Sequence, residues 1–248
     1  MLGFLKHKPA APTQVNLVLG EERIAVAVEF DRFRTLRISI RRDGTVRVRA
    51  PKGASLTFVH EHLQAKAPWI ELHLARFRDR RQAAPPLHYV NGEAHPFLGQ
   101  RYTLLVRQEG RNSVRLAGDG LLVTTRSEPK PETVRKLLDA WHLDQAREVF
   151  TKVIRELLPR MDAHGAPRPQ RLKIRAMTSR WGSCSRAGCI NLNRHLIKAP
   201  LPCIEFVAAH ELCHLRHHGH NAQFYALLTA VMPDWRERKK LLADQPVS

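Results

Sequence analysis

The feature that most constrains this chain is a pair of histidines four residues apart, with a glutamate directly after the first. His210, Glu211 and His214 form this HExxH pattern. Positions i and i+4 of an α-helix share one face and lie about 6 Å apart along the axis, so two imidazoles can reach one metal ion. The adjacent glutamate can take a proton from a water molecule. The pattern therefore predicts a Zn²⁺ site on a helix, and the apolar residues at helical spacing around it predict that the helix is buried: Ile204, Val207, Ala208, Leu212 and Leu215.

A third zinc ligand is expected, because catalytic zinc sites usually have three protein ligands and one open position. His220 can reach the ion only if the helix ends first, and the glycine before it allows such a turn. His217 would share the face of His210 but lies about 10 Å further along the axis, too far to bind the same ion. The spacing favours His220. The alternative is a later carboxylate, Asp234 or Glu237.

Composition limits the class of protein. The 248 residues carry a formal net charge of +18, and 43% of them are hydrophobic. We expect a protein without a membrane span, because no apolar run is long enough to cross a bilayer. We also expect a reduced, cytoplasmic setting, because there is no secretory signal and the four cysteines form no CxxC pair. A surface this basic attracts polyanions or phosphorylated substrates, although basic surfaces also arise without such a role.

Residues 1–126 are predicted to form a β-rich region with a helical insertion at about 55–81. Alternating apolar residues predict strands within 24–30, 36–40 and 46–50, with a hairpin turn at Asp43-Gly44. Further strands are predicted at 87–90, 101–106, 113–117 and 121–125. The outward positions of the first hairpin are basic and could contact phosphates, but a solvated outer face is the more common explanation: Arg37, Arg41, Arg47 and Arg49.

Residues 127–248 are predicted to form a catalytic domain. A long helix is expected from Pro131 to Pro159. It is followed by a strand at 171–176 and by a hairpin that we place beside the metal, where an edge strand can hold an extended substrate through main-chain hydrogen bonds. Four residues of this hairpin are candidate substrate-binding residues, with a purely structural turn as the alternative: Arg180, Trp181, Ser183 and Asn193.

Several of these segments, in this order, resemble the YgjP-like metallopeptidase family, a bacterial relative of the SprT-like zincins. They are Trp181–Cys184, Ile190–Asn193, His210–Leu215, His220 and Pro233–Arg236. The resemblance implies an α+β fold in which a β-rich N-terminal region precedes a zincin-like metallopeptidase domain, with the HExxH helix packed against a small sheet. It also implies His210, His214 and His220 as metal ligands and Glu211 as the general base. The separate zinc-binding tail of SprT proteins is not visible here.

The resemblance leaves the substrate open. The first expectation is a zinc-dependent peptidase, and the second is a nucleoside triphosphate (UTP) pyrophosphatase, because members of the family have been assigned that activity. In a pyrophosphatase, arginines near the site would neutralise phosphate charge, with Arg180, Arg194 and Arg216 as candidates. A third possibility is a nucleic-acid-binding protein whose metal site is structural.

Overall fold

The structure is a computed structural model that describes residues 13–41, 44–83 and 87–245. Contacts divide the chain into two compact units, Met1–Pro86 and Leu87–Ser248. This division differs from the predicted one at 126/127, because a sheet that we had assigned to the N-terminal region belongs to the second unit. The chain is mixed α+β, as the sequence predicted.

The first unit is a four-stranded sheet with two helices. Its strands occur in the order β1-β2-β4-β3, with β2 and β4 parallel and the other two pairs antiparallel. The helices cover one face, where Val59 and Leu63 are fully buried with Val48 of the sheet. Of the predicted turn at Asp43-Gly44, Asp43 lies outside the described residues. The elements are β1 Thr13–Leu19, β2 Glu22–Asp31, β3 Arg37–Ile40, β4 Val46–Pro51, α1 Leu56–Ala65 and α2 Ala67–Ala83.

The second unit begins with another four-stranded sheet, in the order β5-β6-β8-β7. Leu104 and Leu121 from this sheet form one buried cluster with Val134 and Leu138 of the long helix α3, which explains why the sheet belongs to this unit. Helix α3 continues past Pro159, and its last turn buries Met161. These elements are β5 Ala94–Phe97, β6 Gln100–Gln108, β7 Ser113–Ala117, β8 Gly120–Thr125 and α3 Pro131–Asp162.

The predicted strand at 87–90 is wrong, and the strand begins at Ala94 instead. The carboxylate of Glu93 accepts hydrogen bonds from the backbone N–H groups of His88 (2.6 Å) and Tyr89 (2.7 Å). Tyr89 also has a φ of 60°. These bonds fold the segment back on itself, and an extended strand would break them.

Within the described residues, the remainder of the second unit contains a small sheet, one short 3-10 helix and three α-helices. The sheet has the order β10-β11-β9, so β10 is an edge strand. Ile190 and Leu192 of β11 belong to the same buried cluster as Ile204 and Leu212 of α4. The elements are β9 Arg171–Arg175, β10 Gly182–Cys184, β11 Cys189–Asn193, a 3-10 helix Arg194–Lys198, α4 Leu201–Cys213, α5 Ala222–Val231 and α6 Trp235–Ala243.

None of the helices in the described ranges is both long enough and apolar enough to span a membrane.

Candidate metal centre

Three histidines meet at the end of α4. His210 lies in its last turn, and His214 is its C-cap residue. The chain then turns back, so that His220 comes directly before the Asn221 cap of α5. The Nε2 atom of His210 lies 3.2 Å from that of His214 and 3.0 Å from that of His220. The HExxH spacing and the end of the helix before His220 together produce this arrangement. The helix ends at Cys213, earlier than the turn that we expected at Gly219.

The donor set fits a zinc ion. Two nitrogens that are each about 2.0–2.1 Å from a tetrahedral Zn²⁺ are about 3.3 Å apart, close to the separations seen here. His214 Nδ1 donates to the backbone carbonyl of His217 at 3.0 Å, which leaves its Nε2 lone pair free for the ion. Burial, together with the neighbouring histidines and Lys239, lowers the pKa of His210 to about 4, so this imidazole is in the neutral, ligating form at pH 7.

Phe224 of α5 forms the apolar base of this cluster. Its ring centroid lies 5.0, 4.7 and 4.8 Å from those of His210, His214 and His220, respectively. Phe224 is fully buried. It therefore restricts how far each imidazole can rotate and keeps the three nitrogens directed at one point.

Glu211 is buried beside the cluster, with 6% of its surface exposed. Burial raises the pKa of its carboxyl to about 7, and the nearby positive charge of Arg180 opposes that increase. The carboxylate packs against the backbone of Gly182 on β10. A Cβ atom at that position would lie 2.6 Å from Glu211 Oε1, so only glycine allows this contact.

The predicted substrate-binding hairpin is only partly directed at the cavity. Arg180, Trp181 and Gly182 line a cavity of about 380 Å³ together with His210 and Glu211. Further lining residues come from α4 and α6, and most of them are apolar: Phe206, Val207, Lys239, Leu242 and Ala243. Trp181 also packs against the core, so it has the structural role considered as the alternative.

Ser183 and Asn193 do not line this cavity. Ser183 Oγ lies 3.2 Å from Asn191 Nδ2, its cross-strand neighbour. Asn193 is fully buried, and its Nδ2 donates to the carbonyls of Met177 (2.9 Å) and Arg180 (3.1 Å). Its Oδ1 accepts from the backbone N–H of His195 at 3.2 Å. Asn193 therefore fixes the turn that carries Arg180 and positions that residue.

The other candidates for the site are used elsewhere. Asp234 Oδ2 accepts from Arg238 Nε at 2.8 Å. Within the described part of the chain, the group of side chains close enough to share a metal ion contains His210, His214 and His220, and no carboxylate. Arg194 lies 3.9 Å from Asp139, and Arg216 donates to the carbonyl of His164. Of the three arginines proposed for phosphate binding, Arg180 alone lines the described cavity.

Sequence reasoning missed several residues of the site. Gly182, Phe224 and Lys239 were not predicted as site residues. The sequence did contain an indication for Gly182, which lies between the candidate residues Trp181 and Ser183. A glycine inside a strand often marks a place where another group approaches the backbone closely. Lys239 had no signal, since it reaches the cavity only through the packing of α6 on α4.

The comparison with protein families gives one match. Residues 34–245 match the family model described as YgjP-like, metallopeptidase domain. No significant match was found among curated proteins. The matched range includes the whole of the HExxH helix, the hairpin beside it and most of the first unit. The chain belongs to the YgjP-like metallopeptidase family.

Proposed function

We propose that the protein is a zinc-dependent peptidase that binds an extended segment of its substrate along β10. The observation that carries this proposal is the position of β10, an edge strand whose Gly182 packs directly against Glu211. The free edge of such a strand offers N–H and C=O groups to an added peptide strand. A substrate held there would pass the three histidines with its backbone extended.

The residues of the chain then have separate roles. Bound to the three histidines, Zn²⁺ would supply Lewis acidity and lower the pKa of a water molecule to about 7. Glu211 takes the proton from the attacking water and delivers it to the leaving amine nitrogen. Arg180 stabilises the ionised form of Glu211. Phe206, Val207 and Leu242 favour an apolar side chain next to the cleaved bond.

Hydrolysis of nucleoside triphosphates is a second candidate. It is favoured by the two cationic side chains that line the same cavity, Arg180 and Lys239, because a triphosphate requires positive charge around the phosphorus that is attacked. The mostly apolar lining favours the peptide.

One experiment distinguishes peptide hydrolysis from nucleotide hydrolysis. The zinc-loaded protein is incubated with unfolded protein substrates and, separately, with a panel of nucleoside triphosphates including UTP. We expect peptide products by mass spectrometry, and a rate about 10²- to 10⁴-fold lower for Glu211→Gln. Glu156→Gln, an exposed change on α3, is the matched control. Nucleotide hydrolysis that requires Glu211, without proteolysis, would support the second candidate. No hydrolysis of either kind would mean that the metal site is structural.

A further inference from the structure

The sheet of the first unit has one face that its helices do not cover. Along every strand, apolar residues at alternate positions lie on the other face, where they form the core with α1 and α2. We call the opposite side the outer face. It comprises Gln14, Asn16, Val18, Arg23, Ala25, Ala27, Glu29, Asp31, Arg37, Ser39, Arg47, Arg49 and Pro51.

The outer face brings like charges together. In the antiparallel pair β3–β4, Arg37 is directly opposite Arg49, and Ser39 is opposite Arg47. Directly opposed like charges destabilise a sheet unless another group compensates them. The single ion pair of this face within the described residues joins Arg49 to Glu29 at 3.4 Å, and both of these side chains are more than half exposed. An exposed pair of this kind compensates little.

The other two arginines of the β3–β4 pair, Arg37 and Arg47, have no acidic partner among the described residues. Arg37 is exposed and forms no ion pair there. The Nε atom of Arg47 is buried and has no hydrogen-bond partner in the described part of the chain. Buried polar groups are normally satisfied, so an unpaired guanidinium nitrogen indicates a missing acceptor. Phosphate oxygens are acceptors that match the guanidinium group.

The shape of the outer face also favours a flexible polyanion. Ala27 and Ser39, the neighbours of Arg47 across the sheet, are small and permit close approach of a backbone. At the edge of the face, the guanidinium of Arg49 lies 5.5 Å from the ring centroid of Phe33. An aromatic ring beside arginines is a platform on which an unpaired base can stack.

We propose that the outer face binds single-stranded nucleic acid, with phosphates on Arg37, Arg47 and Arg49 and a base stacked on Phe33. A duplex fits less well, because its bases are already stacked and none of the described residues forms a helix or ribbon that projects from this face to enter a groove. A membrane surface also fits less well, because Val18 is the one large aliphatic side chain among the outer-face residues that the structure describes. The proposal is independent of the peptidase activity, since these residues belong to the other unit.

Fluorescence anisotropy with labelled 20-nucleotide poly(dT) and poly(U) tests the proposal. We expect binding that weakens with salt, and about tenfold or greater weakening for the triple variant Arg37→Gln, Arg47→Gln, Arg49→Gln. Because each phosphate contact contributes about 0.7 to the slope of log K against log[salt] for single strands, the slope should fall by about 2. A variant with the same charge change on exposed arginines of the second unit is the matched control: Arg107→Gln, Arg115→Gln, Arg155→Gln.

A second variant keeps the test valid if the triple variant unfolds. Arg37→Glu places an opposite charge across from Arg49, so it should raise the thermal stability of the first unit and still weaken binding. Glu211→Gln and chelation should leave binding unchanged. Equal losses in the triple variant and its control would overturn the proposal. Equally tight binding of a 20-base-pair duplex would also overturn it. So would a triple variant that binds the oligonucleotides normally and loses only binding to anionic lipid vesicles.

Discussion

Gly182 is the residue whose substitution should separate catalysis from metal binding. Its missing side chain leaves room for Glu211, since an added Cβ would lie 2.6 to 2.9 Å from three atoms of the carboxylate side chain. In Gly182→Ala the glutamate has to move, and displacement of a catalytic group by about 1 Å can lower a rate by about 10². We therefore expect kcat for peptide hydrolysis to fall by about 100-fold while the protein still binds one zinc ion.

Gly110→Ala is the matched control for this change. A Cβ at Gly110 meets no atom within 4 Å, so that variant should retain both activity and zinc. Zinc content is measured by inductively coupled plasma mass spectrometry, and kcat with a fluorogenic peptide. If Gly182→Ala is as active as Gly110→Ala, then the tight contact with Glu211 has no role in catalysis.

At the scale of elements, burial of His142 on α3 should make the stability of the second unit depend on pH. Only 7% of this side chain is exposed. Burial is the main cause that lowers its pKa to about 3, with smaller effects from the positive charges of Lys198, His95 and His195. A hydrogen bond to the carbonyl of Pro96 acts in the opposite direction. His142 is therefore neutral in the folded protein over a range in which it is protonated in the unfolded chain.

The direction of this pH dependence follows from which state, folded or unfolded, binds the additional proton. Between pH 6.5 and about 3 the unfolded state binds one more proton than the folded state at this site, so stability falls as the pH is lowered, by about 1.4 kcal/mol per pH unit. Above pH 6.5 this contribution is fully present. We expect the decrease between pH 6 and pH 4, measured by urea unfolding and tryptophan fluorescence, to be smaller by about 2.5 kcal/mol in His142→Gln.

His88→Gln removes an exposed histidine from the same unit and is the control for that measurement. Identical slopes for His142→Gln and His88→Gln would show that His142 does not titrate differently in the folded and unfolded states. Three of the four tryptophans belong to the second unit, so the fluorescence signal reports mainly on it.

The elements also show which features a sequence can predict. The position of α4 follows from the local spacing of its apolar residues, and the structure confirms it. The helix ends at Cys213, earlier than the turn that we expected at Gly219. Helix caps are equally local, since Ser55 Oγ accepts from Phe58 N at 3.1 Å and Asn221 Oδ1 accepts from Phe224 N at 2.9 Å. These features depend on residues within a few positions of one another, so the sequence alone determines them.

Side-chain hydrogen bonds to the backbone outside helix caps were less predictable, both over a few residues and over longer separations. The strand predicted at 87–90 has a suitable pattern, but the Glu93 carboxylate captures two of its N–H groups. The role of Asn193 is another example, since the amide of this residue of β11 bonds to carbonyls of a turn more than ten positions earlier. Sequence spacing identified Asn193 as important but could not distinguish substrate binding from positioning.

At the scale of the whole molecule, the two units have separate cores. The buried cluster with α1 and α2 contains only residues of the first unit, whereas all three candidate metal ligands belong to the second. A ligand that binds only the folded state stabilises it by about 2.7 kcal/mol at 100 times its Kd. Zinc should therefore lower the population of the open second unit by a factor of about 100, and leave that of the first unit unchanged.

Hydrogen exchange followed by mass spectrometry measures the two units separately. Chelation should speed exchange in peptides from α4, the 214–221 turn and α5, while peptides from β1 to β4 exchange as before. His220→Ala in the presence of zinc should reproduce the effect of chelation, because it removes one of three ligands. Asp234→Ala should not, since this carboxylate binds Arg238 rather than the metal group. If Asp234→Ala also mimics chelation, the ligand set is wrong. If exchange in β1 to β4 rises equally, the two units unfold as one.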